Sequence, residues 1–417
     1  MFGRKLSSLK NKVKRKKISE KKENKSNSFL VTGIVLTLII GFIALVSPTI
    51  IAMLRFSPTT INGVENVSKW DYNEKFKILL VGTDKKSEEH LFIDGLSLLV
   101  VDPKYDQVGI ININPDIVVN SRTSDQQISL RRAFIDNSGS DFLTLIEDLL
   151  ATEIDRYVVI DQVYFQKMSK YGRTIQVDSG VDVLDSDVYA NRISSKWQKG
   201  PHMVKGEQLL DYLKSDNNGK DEQLDRQLNI YSRYVQSIDP FKLLMGSQDV
   251  LSIVKEYVRT DLSRNEIYYL YYYLRTVPPS SYSSVFTKSD ILTEVGQAGV
   301  YNLYRVNSNQ LDHMTNTILE NKNTVLEQTS VEVLNASGKS GNASQYARWI
   351  GNAGLEVVHV GNAPFSSEST IIYAPNQNEY QNSITNFRGI FGEEVEIKDQ
   401  EYDYRHIGKV VVILGDN

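Results

Sequence analysis

The feature that most constrains this chain is Ser28 to Leu54, a run without one charged residue. At a rise of about 1.5 Å per residue, about twenty apolar residues cross a hydrocarbon core of about 30 Å, so the run predicts a transmembrane helix over 28–54. A tail, Met1–Asn27, precedes it with eleven Lys/Arg and two Glu, and Arg55 closes it. A basic flank marks the cytoplasmic side, which places the residues after Arg55 outside the cell. A cleaved signal ends its apolar core at small residues. This run ends in Ile50, Ile51, Met53 and Leu54, and a retained anchor is expected.

The charge balance follows the same division. The net −4 of the whole chain is +9 on residues 1–27 and −13 on the rest, a balance that argues against a nucleic-acid partner. There is no Cys, which excludes thiolate metal sites, thiol catalysis and disulfides together. The five His residues do not pair at metal-ligand spacing, so zinc is not expected. About 360 residues beyond the span exceed what one core holds, and two outer domains are predicted.

After a polar, turn-rich stalk over 55–75, the chain gives Phe76-Lys-Ile-Leu-Leu-Val-Gly-Thr-Asp84, then Leu96–Val101, then Val108–Ile113. Short, β-branched apolar runs of this kind read as strands buried on both faces, and the last two are close enough to form a hairpin. Helical patterns over Asp141–Leu150 and Gln162–Tyr171 flank a strand at Tyr157–Ile160, which predicts a layered α/β domain. Further helices are expected over Gly206–Leu213 and from Gln223 to Ile238. Ser263-Arg-Asn-Glu266 has the form of a capping box and opens a helix with Tyr268, Tyr269, Tyr271, Tyr272 and Tyr273. Those rings read as a packed core face, with a sugar-stacking platform as the alternative.

Taken together, Lys77–Asp84, Asp94, Asn112–Asp116, the Gly206–Leu213 helix and Asp225-Arg226-Gln227 resemble the LytR-CpsA-Psr family of membrane-anchored cell-wall enzymes, over roughly residues 76–320. The resemblance implies an α/β/α domain that holds a polyprenyl chain in an apolar pocket and moves a pyrophosphate-linked glycopolymer onto peptidoglycan. It also implies Mg²⁺, because a transferred phosphoryl group needs its developing charge neutralised by a cation on carboxylates and by arginines forked onto phosphate oxygens. Asp94 and Asp116 match the two metal-binding positions, with Asp116 catalytic as well. Arg226 matches the arginine that faces the pyrophosphate, in a catalytic and substrate-binding role, and Gln227 matches its neighbour.

Several cations of the family pattern are absent. Phe92 stands where an Arg precedes the first Asp, Asn114-Pro115-Asp116 replaces Pro-Arg-Asp, and the paired arginines after the Gly-Glu-Gln helix fall on Lys214 and Asp216. Gln223 takes the first arginine of the later helix. Lys for Arg keeps the charge and loses the fork. Arg131 and Arg132, at the family's Lys-x-Asn segment, are the candidates to restore positive charge toward substrate. Two carboxylates held close without a cation repel. Asp116→Asn is therefore expected to leave stability equal or higher.

A linker over 321–328 leads to a second α/β domain, 329–417. Its strands are expected at Ser330–Leu334, Leu355–Val360, Thr370–Tyr373 and Lys409–Leu414, with helices at Gly341–Ala353 and Tyr380–Ile390. Val331–Gly338 and Ala353–Val358 resemble the small carboxy-terminal domain of LytR-type members. Ser337-Gly-Lys-Ser340 imitates a phosphate loop, but the earlier Gly it requires falls on Val333, so it reads as a tight turn. The functional expectation is a single-pass, outward-facing transferase of a lipid-carried glycopolymer. The alternative is a member that binds the lipid-linked polymer or peptidoglycan as a scaffold or regulator.

Overall fold

The computed structural model describes residues 59–61 and 69–416, apart from 88–89, 122–125, 162, 180–182, 188–191, 300 and much of 206–245. The basic tail and the expected span at 28–54 lie outside the described residues. Among the described residues no helix is long and apolar enough to cross a membrane. One compact unit comprises Ser57–Asp239 and Ile253–Asn417 and contains the features described below. The other takes in Pro240–Ser252, where a helix begins at Ser247.

The first layer of order comes from residues that alternate while being apolar on both sides. Among the described residues β1 (Phe76–Ser87), β2 (His90–Asp102), β3 (Gln107–Asn112), β4 (Arg156–Asp161), β5 (Val258–Thr260) and β6 (Tyr282–Phe286) form one sheet in the order β5-β4-β1-β2-β3-β6. β1 runs parallel to β4 and β6 parallel to β3, while β2 is antiparallel to both of its neighbours. The expected hairpin is the β2–β3 pair, with Ser97 opposite Asn112 and Val101 opposite Val108.

Leu79, Val81, Leu98, Val100 and Ile111 face one core with Leu130, Ala133, Phe142, Leu145, Ile146, Leu311 and Ile318. Ile78, Leu99, Val101, Val108 and Ile110 face the other with Trp70, Leu270 and Tyr273. The period of two thus puts alternate residues of each strand into two separate cores. Helices α1 (Leu130–Asp136), α2 (Gly139–Leu150) and α4 (Ser308–Leu319) supply the first layer and α3 (Arg264–Thr276) the second. The domain is an α/β/α sandwich, as the resemblance implies.

The tyrosines of α3 divide by face. Tyr273 donates its hydroxyl to the Asp102 carbonyl at 3.1 Å and Tyr269 to that of Tyr72 at 3.2 Å, so both serve the core, while Tyr268 and Tyr272 are exposed. The capping box forms as its spacing predicts, Ser263 accepting from the Glu266 amide and Glu266 accepting from that of Ser263. The described part of the stalk is docked. Trp70 stacks on Phe76 with centroids 4.1 Å apart, and the Ile61 amide donates to the Tyr157 hydroxyl at 2.8 Å. An aromatic this large gains too much from burial to stay on a solvated tether.

The carboxy-terminal sheet has the order β10-β9-β13-β11-β12, from β9 (Ser330–Asn335), β10 (Glu356–Asn362), β11 (Ile371–Tyr373), β12 (Glu396–Lys398) and β13 (Val410–Leu414). Helices α6 (Asn342–Asn352) and α7 (Gln381–Phe391) cover one of its faces. The Ser337–Ser340 turn is closed from within, the Gly338 amide donating to the Asp416 carboxylate at 2.8 Å.

The segment expected as a linker is a helix, α5 (Lys322–Glu327), and it is tied down. Glu327 accepts four bonds of 2.6–2.8 Å from Asn382 and Ser383 and caps α7, which has no side-chain cap of its own. Burial pushes its carboxyl up, but these bonds outweigh that and hold it below the usual range. Arg348 of α6 forks onto Asp312 at 2.6 and 2.7 Å and donates to the Asp148 and Leu149 carbonyls, while Asn352 takes that of Leu150. The orphan carbonyls at the end of α2 are thus satisfied from the other domain, and a cation meets the negative end of its dipole.

Candidate functional site

The site is built at the edge where β1, β3, β4 and β6 end and β2 begins, the edge at which open α/β sheets bind ligands. β3 ends in Asn112, and Asn114-Pro115-Asp116-Ile117 makes a turn closed by the Ile117 amide on the Asn114 carbonyl at 3.2 Å. The sequence favours it. Asn at the first position and Pro at the second set such a turn, and the Asn114 carboxamide accepts the Asp116 amide at 2.9 Å. Thr287, just past β6, fixes the turn to the sheet: its amide donates to the Asn112 carbonyl at 3.0 Å and its hydroxyl accepts from the Asn114 amide at 2.8 Å.

α1 starts directly on this turn. The Leu130 and Arg131 amides donate to the Ile117 and Pro115 carbonyls at 2.9 Å each, and Ser129 caps the helix by accepting from the Arg132 amide. Arg131 is thereby brought over Asp116. Its Nε donates to Asp116 Oδ1 at 2.9 Å, its Nη1 donates to the carbonyl of the peptide joining Ile93 to Asp94, and its guanidinium lies over the Tyr301 ring, 4.3 Å from the centroid. Asp116 and Arg131 are each 7% exposed. A cation in the first turn of a helix opposes the helix dipole. The Asp116 carboxylate and the Tyr301 ring compensate it.

Tyr301 belongs to a hairpin the sequence reading did not anticipate, β7 (Leu292–Ala298) paired with β8 (Tyr301–Val306). The same hairpin reaches the turn through the Tyr304 amide, which donates to the Asp116 carbonyl at 3.1 Å. Its signal was present, in the alternation of Leu292 to Val306 about Gly299, which turns with φ +62°.

The other candidates are placed unevenly. Asp94 is the extra residue of a bulge, since Gly82 pairs with Gly95 and Thr83 with Ile93. Only its backbone is described. Arg226 is 4% exposed; its Nε donates to the Tyr212 carbonyl at 3.1 Å, its guanidinium lies 5.7 Å from the Tyr212 ring centroid, and its Nη1 is 3.8 Å from Glu222. Asp221, five residues earlier, accepts from the Ser289 amide and hydroxyl, two residues beyond Thr287. That contact ties Asp221 to the edge that carries Asp116. Lys214 and Gln227 lie outside the described residues.

Two expectations need correcting. Arg132 is exposed and bonds Asp136 one turn on, because consecutive helical residues point about 100° apart and only one of two neighbours can face the sheet. Asp116 is the counter-ion of a buried guanidinium, which removes the premise that its loss relieves repulsion. The Arg131 guanidinium lies between the Asp116 carboxylate and the 93–94 peptide. Among the described residues no group of three or more His, Asp or Glu could hold a metal.

A family model described as the LytR_cpsA_psr family matches residues 55–320, and one described as LytR cell envelope-related transcriptional attenuator matches residues 328–417. The chain is 24% identical over 218 residues to a polyisoprenyl-teichoic acid–peptidoglycan teichoic acid transferase, TagU, of Bacillus anthracis, covering 52% of this chain and 69% of that protein. It is 24% identical over 248 residues to the Enterococcus faecalis protein of the same name, covering 57% and 80%. Among solved structures, Bacillus subtilis TagV superposes with a TM-score of 0.48 at 19% identity, covering 59% of this chain and 96% of that one.

Proposed function

The chain belongs to the LytR-CpsA-Psr family, and from that membership we propose that it transfers a polyprenyl-pyrophosphate-linked glycopolymer to peptidoglycan. Relatives that bear the teichoic acid transferase name, aligned over 69–80% of their own length, support the reaction class. The observation that carries the reading in this chain is the buried Arg131, fixed at the ligand-binding edge of the sheet by Asp116, Ile93 and Tyr301. In the proposed reaction an acceptor hydroxyl of the wall bonds to the phosphorus that bears the polymer. The P–O–P bond breaks, polyprenyl phosphate leaves, and the proton of the acceptor hydroxyl passes to the released phosphate or to water. Arg131 and Arg226 are assigned to the negative charge that grows on the phosphate oxygens, for which a guanidinium fork is suited.

The uncharged run at 28–54 is proposed to span the membrane, with residues 1–27 inside and the folded domains outside. Its basic flank supports that direction. Organic extraction of the full chain purified from its own membranes, followed by mass spectrometry, is expected to release a polyprenyl phosphate or pyrophosphate. Repeated preparations of folded protein without such a lipid would remove the reading. The cations missing at Phe92 and Gln223 favour a second reading, a member that holds the lipid-linked polymer without transferring it.

A further inference from the structure

The carboxy-terminal sheet has one face beneath α6 and α7, and α6 is the helix that meets the first domain, through Arg348 and Asn352. The opposite face is therefore turned away from that domain. On it Leu334, Val411 and Ile413 are covered by Tyr402, from a segment, 399–409, that holds neither helix nor strand. The Ile407 amide, donating to the buried Glu332 carboxylate at 2.8 Å, pins this segment to β9.

Tyr402 stands in the middle of a run of rings. Tyr373, Tyr402, Tyr404 and Phe365 follow one another with centroids 5.2, 5.3 and 5.7 Å apart. Tyr373 and Tyr402 pack on the sheet, but Tyr404 is 53% exposed and Phe365 37%, and Ile407, three residues beyond Tyr404, is exposed as well. Clustered apolar side chains left in water mark a contact surface. A second observation points to a ligand: the Tyr402 hydroxyl is buried, in a residue only 5% exposed, without a hydrogen-bond partner among the described residues. A hydroxyl left in that state costs about 1–3 kcal/mol. Phe would cover the sheet without that cost, so packing alone does not account for a tyrosine there.

Charge selects the occupant. Residues 329–417 carry eleven Asp/Glu against six Lys/Arg, and Glu401 and Asp403 flank Tyr402 in the chain. Such a surface repels an anionic polymer or an anionic membrane. An uncharged pyranose strand suits it, since each sugar offers an apolar C–H face to an aromatic ring and hydroxyls to the polar handle of a tyrosine.

We infer that this face binds the glycan strand of peptidoglycan, with sugar rings stacked on Tyr404 and Phe365 and the Tyr402 hydroxyl as a hydrogen-bond partner. The naming of peptidoglycan rests on the wall reading above; the binding of an uncharged saccharide stands apart from it.

The test titrates chitohexaose, an uncharged N-acetylglucosamine oligomer, calorimetrically into the full chain in detergent. Wild type is expected to bind, and Tyr404→Ala and Phe365→Ala are each expected to weaken binding about fivefold, the scale of one stacked ring. Their stability should stay near that of wild type, because both rings are exposed. Tyr404→Phe, which keeps the ring, is expected to bind within about twofold of wild type. Tyr402→Phe should weaken binding while leaving stability equal or higher, a pairing that a purely structural tyrosine does not give. A wild type that ignores chitohexaose, or binds it equally well after both outer rings are removed, would overturn the inference. So would tighter capture of polyglycerol phosphate or of anionic vesicles, or a dimer in sedimentation that the double alanine variant disperses, which makes a second copy the occupant. Each of these results leaves the transfer reading standing, because Arg131 and Arg226 belong to the other domain.

Discussion

Replacing Asp116 with alanine is expected to lower the unfolding free energy by about 3–5 kcal/mol, the usual cost of stripping one partner from a buried ion pair. The side chains of Arg131 and Asp116 are only 8% and 10% exposed and 2.9 Å apart, so water screens neither one. Asp116→Asn keeps an oxygen that accepts from Arg131 Nε but loses the charge, and a smaller loss, about 1–3 kcal/mol, is expected. The double variant Asp116→Leu/Arg131→Met should recover most of the stability, since a buried pair exchanged for apolar residues of similar size is often neutral. Chemical denaturation of the four proteins tests this. If Asp116→Asn is as stable as wild type or more so, Asp116 is not the counter-ion described here, and the expectation of two repelling carboxylates returns.

A comparable loss is expected at Glu266, which serves two structures with one carboxylate. Its Oε1 accepts from Arg156 Nη2 at 3.0 Å, with both side chains no more than 4% exposed, and its Oε2 accepts from the Ser263 amide at 2.6 Å, closing the capping box of α3. Glu266→Ala leaves a buried guanidinium and an uncapped amide. About 4 kcal/mol should be lost. Glu266→Gln retains an acceptor for Ser263 and removes only the charge, which should lessen the loss. Because Arg156 and Glu266 act on each other, Glu266→Ala and Arg156→Ala should together cost at least about 1 kcal/mol less than the sum of their separate effects. Simple additivity would show that the pair contributes nothing beyond its parts.

What the sequence made legible follows from where its information is local. β1 to β3 were readable because residues such as Ile78 and Leu79 are buried on opposite faces, which leaves an apolar run in the sequence itself. The capping box of α3 was readable for the same reason, as its partners stand three residues apart. The site was less so. Arg131 and Asp116 are fifteen residues apart and meet only because α1 starts on the Asn114–Ile117 turn, a junction that no periodicity records. Nothing in the order Arg131-Arg132 tells which guanidinium turns inward; that is decided by the phase of α1 against the sheet. Tyr301 could be linked to the site only through the register of the β7–β8 hairpin. The docking of Trp70 was hidden by the polar residues around it, although a tryptophan in an otherwise solvated tether was itself a sign of packing.

The central claim is transfer, and the measurement closest to it is the attachment of a labelled, polyprenyl-pyrophosphate-linked polymer from the chain's own host to isolated peptidoglycan by the purified full chain. Wild type is expected to move label into the wall fraction. Arg131→Ala and Arg226→Ala are expected to slow that step by about 10²-fold or more, the scale on which removal of one fixed charge-stabilising donor is felt. A wild type that binds the lipid-linked donor yet leaves the peptidoglycan unlabelled, with every lipid-linked polymer of that host, would contradict the account and identify a binding protein.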